Sequence, residues 1–224
     1  MADEYLVYGA EGSGSIPVEA ALTLIGAPWR LEELVTYASE AERSRMAPHN
    51  PMRQVPVLVT PASSSGGGET ITESAAILIW LAERHPEARL APPPGDPRRA
   101  QFLRWMCFIP ASIYSLYWTR DVPSRLVGDD PQAQTELLAR TLDHISDCWA
   151  VMESQITPAG RFLLGDEVSV LDLYMAVVSR WRPLRPRFHQ VAPRLGEVAR
   201  RVDALPELAE FWPKRFAFEG DYAN

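Results

Sequence analysis

Residues 50–59 run Asn-Pro-Met-Arg-Gln-Val-Pro-Val-Leu-Val, and residues 72–84 run Thr-Glu-Ser-Ala-Ala-Ile-Leu-Ile-Trp-Leu-Ala-Glu-Arg. The first stretch puts Pro56 at the start of a β-branched run. Proline cannot donate a ladder hydrogen bond, and the peptide before it adopts cis far more cheaply than any other. A cis Val55–Pro56 bond turns the Val55 N–H and C=O away from the sheet, free to pair with an extended peptide as an added strand would. The plainer alternative is that Pro56 only starts an edge strand. The second stretch places Thr72, Glu73 and Ser74 at a helix N-terminus, where unpaired N–H groups and the helix dipole favour an anion. There the Ser74 hydroxyl can help hold a carboxylate, and the Glu73 carboxylate can accept from an ammonium. An α-amino acid end carries both charges on one carbon. Here the plainer alternative is simple capping by Thr72 or Glu73.

Working outward, Tyr5–Tyr8 is short, apolar and β-prone, which predicts a buried strand. A glycine- and serine-rich loop, Gly9–Gly14, follows. A helix is expected from Ser15 to Ile25, with Pro17 in its first turn, apolar residues at Val18, Ala21, Leu22 and Ile25, and a stop at Gly26. Leu31–Val35 predicts a second strand and Ala38–Met46 a short helix. Val55–Val59 and Thr70–Ile71 predict two more strands joined through Ser63–Gly68. The helix from Glu73 to Arg84 is apolar on most sides and therefore buried between layers. The order is β-α-β-α-β-β-α.

Ala91–Pro97, Ala-Pro-Pro-Pro-Gly-Asp-Pro, is a stiff linker and the best domain boundary. Beyond it the pattern is helical: about Arg98–Ser124, Pro131–Ile156, Ser169–Arg180, Val191–Ala204 and Glu207–Phe216. Pro110 predicts a kink in the first of these. The fold expected is an α/β domain over residues 1–87, a linker over 88–97 and an all-α domain over 98–224. A length of 224 residues suits two such domains.

Composition excludes several classes. A net charge of -7 argues against a nucleic-acid binder. No stretch approaches the roughly 18 consecutive apolar residues of a membrane span, and the opening residues lack a signal peptide pattern. Two cysteines, Cys107 and Cys148, cannot build a Cys-rich metal site or a disulfide scaffold. They are expected as free thiols in a reducing cytoplasm, with no metal. The arginine-rich run from Arg180 to Arg201 is expected to be a solvated surface.

The segments Asn50–Val59 and Thr72–Glu83, with the glycine-rich opening and the proline linker in their places, resemble the glutathione S-transferase family. Phe162–Asp172 looks like that family's buried capping element, with Ser169 capping the helix and Asp172 reaching back in a capping box. The resemblance covers nearly the whole chain and is nearest to the bacterial serine- and cysteine-type (zeta-, theta- and beta-like) classes. It implies a thioredoxin-like N-terminal domain and an all-helical C-terminal domain. It further implies glutathione as co-substrate or recycled cofactor, a small hydrophobic second substrate, a cytoplasmic homodimer and a role in detoxification.

Carried over residue by residue, Val55 pairs its backbone with the cysteinyl part of glutathione, and Glu73 and Ser74 hold the γ-glutamyl end. Gln54 reaches a backbone or glycyl group, and Arg53 and His49 are weaker candidates for the glycyl carboxylate. The enzyme's task is to favour thiolate over thiol, by a hydrogen bond near the first helix start. The customary serine and cysteine positions fall on Gly12 and Gly14, which have no side chain. Ser13 and Ser15 are then the catalytic candidates, Ser13 foremost, with turn and cap roles as the alternative. Backbone N–H groups can also hold the thiolate, and Tyr8 is a lesser candidate. Trp105, Phe108, Tyr114 and Trp118, with Tyr117, are the aromatic candidates for the second substrate. Competing readings are a non-catalytic glutathione- or ligand-binding protein, a glutathione-dependent isomerase or β-etherase, and a peptide-recognition module using the Val55 edge.

Overall fold

The computed structural model of the chain describes residues 4–62 and 68–216. The expected Ser63–Gly68 connection lies almost wholly outside the described residues, as does the end of the chain after Phe216. The chain divides into two compact units, one drawn from Met1–Pro93 together with Asp203–Phe218, the other from Pro94–Val202.

The first unit contains β1 (Tyr5–Gly9), α1 (Ile16–Ile25), β2 (Trp29–Glu33), α2 (Glu40–Met46), β3 (Val57–Val59), β4 (Thr70–Thr72) and α3 (Ser74–Arg84). The strands lie in the order β2-β1-β3-β4. β1 and β2 are parallel, joined through α1, and β3 and β4 are antiparallel additions. Side chains alternate across such a sheet. Tyr8 and Val57 share one face with Leu34 and Met46, against which Leu6 and Val59 pack. Val7 and Leu58, paired in the register, are fully buried on the other face. This is a thioredoxin-like domain with the expected element order.

Two boundaries differ from expectation for a local reason. β2 begins at Trp29, because the Tyr5 N–H donates to the Pro28 carbonyl at 2.9 Å and opens the ladder early. β3 begins only at Val57, after the proline. α1 carries Pro17 in its first turn and ends on Gly26, whose φ of 73° suits the left-handed cap that glycine adopts without penalty.

The second unit is mostly helical: α4 (Arg99–Phe108), a π-helical turn at Ile109–Tyr114, α5 (Ser115–Asp121), α6 (Ser124–Val127), α7 (Pro131–Gln155), α8 (Val170–Val178), α9 (Leu184–Val191) and α10 (Pro193–Asp203). The helix expected over Arg98–Ser124 is thus interrupted, with Pro110 in the first turn of the π segment. Every residue of α8 is buried. Its capping box is formed as expected: Asp172 accepts from the Ser169 N–H at 2.8 Å and hydroxyl at 2.6 Å, and from the Leu163 N–H at 2.9 Å.

The basic run departs from expectation. It contains α9, which the charge density of the sequence obscured. Arg180 and Arg185 are buried rather than solvated, each 1% exposed, and Arg185 donates to the Ala176 carbonyl at 2.8 Å. The helix expected over Glu207–Phe216 is two short pieces, a 3₁₀ turn at Pro206–Leu208 and a helical turn at Trp212–Arg215, and it groups with the first unit. Among the described residues no helix is long and apolar enough to cross a membrane.

Candidate functional site

The register gathers three segments at one end of the sheet. Tyr8 pairs with Val57 and Val57 with Thr72. The loop after β1, the residues before β3 and the residues after β4 therefore converge. These are residues 10–15, Val55–Pro56 and Glu73–Ser74.

The Val55–Pro56 peptide is cis. Among the described residues no hydrogen bond engages the Val55 N–H or C=O, and the residue is half-buried. Asn50 shapes the turn that carries it, a role not legible in the sequence. Its buried side chain donates to the Gln54 carbonyl at 2.9 Å and accepts from the Met52 N–H at 3.0 Å, while its own carbonyl accepts from the Arg53 N–H at 2.8 Å. Gln54 is exposed beside Val55.

The Arg53 guanidinium is paired with Glu40. The His49 ring stacks on Tyr8 at 4.2 Å between centroids. Burial pushes the Tyr8 phenol pKa up, with Glu32 adding to the effect.

Glu73 stands at the α3 N-cap with φ 67° and ψ 108°, a backbone conformation that non-glycine residues rarely adopt. Its side chain is exposed and that of Ser74 is buried. The strained residue sits beside an open backbone edge, where such strain tends to concentrate at functional sites.

The loop over residues 10–15 is braced from within and from outside. The Gly12 N–H donates to the Arg215 carbonyl at 3.1 Å, the Glu11 N–H to Glu33 Oε1 at 2.9 Å, and the Tyr37 hydroxyl to the Glu11 carbonyl at 2.8 Å. Gly9 is required by close approach: a Cβ there would lie 2.4 Å from Ser15 Oγ. Ser15 is fully buried, and its hydroxyl donates to Glu19 Oε1 at 2.6 Å. That enclosure corrects the expectation that Ser15 faces a ligand. Ser13 is half-buried, with its Oγ 3.0 Å from Ser15 Oγ and accepting from the Ala10 and Ser15 N–H groups at 3.3 and 3.2 Å. The Gly14 N–H has no hydrogen bond among the described residues.

Glu19, on α1, is fully enclosed. Burial raises its pKa, while the Arg215 charge and the Ser15 and Arg215 hydrogen bonds pull it down. Sequence reasoning missed Glu19 and Arg215 because they are far apart in the chain. The one available signal was a carboxylate on the otherwise apolar, buried stretch Ile16–Leu22.

The aromatic candidates of the helical unit separate by exposure. Trp105 is fully buried, 0% exposed, and packs edge-on against Phe108 at 5.3 Å. It is a core residue, which corrects its assignment to a second-substrate surface. Phe108 and Tyr114 are half-buried, Tyr114 against Trp181 at 4.7 Å. Trp118 is 47% exposed, with the Arg125 guanidinium 4.8 Å from its ring centroid. Cys107 is exposed and Cys148 buried, both as free thiols.

A thioredoxin-like domain with an open backbone edge beside a helix start, in one chain with a helical domain, defines the glutathione transferase class of folds. Residues 15–84 match the family model of the glutathione S-transferase N-terminal domain. The uncharacterized GST-like protein YncG of Escherichia coli (strain K12) is 30% identical over 205 residues, 91% of this chain and 95% of that protein. Glutathione S-transferase theta-1 of Rattus norvegicus is 28% identical over 184 residues, 79% of this chain and 72% of that one. A crystal structure of a glutathione transferase homolog from Sulfitobacter, with bound glutathione, shares the fold at a TM-score of 0.79 and 22% identity, covering 96% of this chain and 99% of that one. The chain belongs to the glutathione S-transferase family.

Proposed function

We propose that the protein is a glutathione transferase-like enzyme that binds glutathione at the sheet end and presents its sulfur, as thiolate, to a small hydrophobic electrophile. The observation that carries this reading is the Val55 backbone, without a partner among the described residues, next to Glu73 and Ser74. An extended γ-glutamyl-cysteinyl peptide pairs with Val55 as an added strand. Its ammonium meets the Glu73 carboxylate, and its α-carboxylate meets the start of α3. Gln54, exposed beside Val55, is a further glutathione contact. The binding of glutathione by a structural relative supports the assignment.

The thiolate falls to the loop over residues 10–15. Both serine hydroxyls are engaged there, so the donor is the main chain of this loop. With the thiol proton lost to solvent, a sulfur lone pair forms the S–C bond. The displaced group, such as a halide, leaves with its bonding pair. Of the aromatic candidates in the helical unit, Phe108, Tyr114 and Trp118 are exposed enough to meet the electrophile. A homodimer and a cytoplasmic, detoxifying role accompany this reading on family likeness.

The test is a glutathione binding titration run beside turnover of an aromatic halide and other acceptor classes. Binding with turnover supports the enzyme. Binding without turnover over several acceptor classes favours a non-catalytic glutathione-binding protein, a reading to which the engaged serines lend weight. No binding sinks both.

A further inference from the structure

A serine hydroxyl donates one hydrogen bond and accepts up to two. In the loop after β1 this rule fixes the direction of every hydroxyl proton. Arg215 sets its Nε 2.6 Å from Glu19 Oε2 and its Nη2 3.2 Å from Oε1, holding Glu19 as a carboxylate. A carboxylate can only accept, so the bond of 2.6 Å between Ser15 Oγ and Glu19 Oε1 uses the Ser15 proton. The contact of 3.0 Å between Ser13 Oγ and Ser15 Oγ is left with one donor, Ser13. Ser13 Oγ accepts from the Ser15 N–H at 3.2 Å and shares the Ala10 N–H with Ser15 Oγ, at 3.3 and 3.2 Å. Its proton and both its lone pairs are thus directed at partners within the loop, one of them a shared bond.

We propose that Glu19, held by Arg215, is the positioning residue of this loop: it orients the Ser15 and Ser13 protons inward, so that neither serine donates to the glutathione sulfur. The inference rests on the glutathione reading above. It deepens that reading by saying which side chain sets the polarity of the loop. Because α1 supplies Glu19 and residues 203–216 supply Arg215, the far end of the chain belongs to the machinery of the site.

The chain of bonds has a second direction, which makes the idea testable. In Glu19→Gln the amide carbonyl is drawn to Arg215 and the amide N–H faces Ser15. Ser15 then donates to the Ala10 carbonyl, 3.4 Å away. The Ser13 proton is released, and Ser13 is only half-buried. Glu19→Gln thus creates a serine-type donor that the natural protein lacks.

The experiment titrates the thiol of bound glutathione by its ultraviolet thiolate absorbance in the natural protein, Ser13→Ala, Glu19→Gln and the double variant. The expected midpoint of Ser13→Ala lies within about 0.3 pH unit of the natural protein, about a twofold change in thiolate or less. Glu19→Gln lowers the midpoint by about half a unit or more, and adding Ser13→Ala abolishes that gain. A rise of about one unit in Ser13→Ala alone, a tenfold loss of thiolate, overturns the proposal, because Ser13 is then the donor. So does a Glu19→Gln midpoint that is indifferent to Ser13. If Glu19→Gln fails to fold, the Ser13→Ala comparison still decides. Failure of the natural protein to bind glutathione appears in the first arm and removes the functional reading itself, whereas binding with the wrong serine dependence removes this inference alone.

Discussion

Arg215 places its Nε 2.6 Å from Oε2 of Glu19, a residue 196 positions earlier, and the carboxylate is fully enclosed. Two opposite charges out of water attract strongly but have also lost their hydration, so such a pair adds little over a well-packed apolar one. Its effect shows when one partner is removed.

Arg215→Met leaves the Glu19 carboxylate buried without its cation. A loss of about 3–5 kcal/mol at neutral pH is expected from urea unfolding. The loss depends on pH. Burial already raises the Glu19 pKa, with Arg215 opposing; without Arg215 it climbs further. A carboxyl raised in the folded state contributes stability below its unfolded pKa and loses it as pH rises through the folded value. The defect of Arg215→Met should therefore shrink as the solution is made mildly acidic and grow towards neutrality. A defect of constant size between these conditions would show that Glu19 is not the group left stranded.

Glu73→Gly separates strain from binding. At φ 67° the glutamate holds a conformation that costs about 1–3 kcal/mol and that glycine adopts freely. The variant should melt at the same temperature as the natural protein or a few degrees higher. Loss of the carboxylate should weaken glutathione binding by about tenfold or more, since about 1.4 kcal/mol corresponds to each factor of ten. Calorimetry and a binding titration read the two effects separately. A less stable variant with unchanged affinity would mean that Glu73 serves the fold and not the ligand.

The two stretches that decide the fold were legible because their signals are local. Pro56 before a β-branched run and Glu73–Ser74 before an apolar helix need only neighbours in the chain to be understood. Asp172 was equally legible, since a capping box spans one helical turn. The Glu19–Arg215 pair was not, because its partners meet only after α1 and residues 203–216 have packed. For the same reason Ser13 and Ser15 looked alike in the sequence, although one is half-buried and the other fully enclosed. Arg180 and Arg185 misled in the opposite direction: a dense run of arginines promises a solvated face, and packing placed two of them inside.

The aromatic residues of the helical unit allow a paired comparison. Trp105→Ala empties a fully buried site and should cost about 3–5 kcal/mol of stability. Trp118→Ala removes an exposed ring that meets Arg125 across its face. A change of about 1 kcal/mol or less is expected there. If Trp118 contacts the electrophile, its removal raises the acceptor KM and leaves the glutathione KM alone. Unfolding curves and two-substrate kinetics on both variants check this. An unchanged acceptor KM would remove Trp118 from the site.

Asp172 yields the clearest pH dependence. Burial raises its pKa from 3.8 to about 6, against the hydrogen bonds from Ser169 and Leu163 that favour the charged form. The folded value therefore lies above the unfolded one. The protonated carboxyl contributes stability that is fully present below about pH 4 and is lost as pH rises through about 6. That span corresponds to about 3 kcal/mol at 1.36 kcal/mol per pH unit. Asp172→Asn cannot titrate, and its amide keeps only one accepting oxygen, leaving one buried N–H, that of Leu163 or of Ser169, without an acceptor at a cost of about 1–3 kcal/mol. Subtracting the stability of Asp172→Asn from that of the natural protein at each pH cancels the titration of all other groups. The difference should widen as pH falls from about 6 to about 4 and be level outside that window. A difference that stays level across the window would place the folded pKa of Asp172 at its ordinary value, and the three hydrogen bonds would then fully offset its burial.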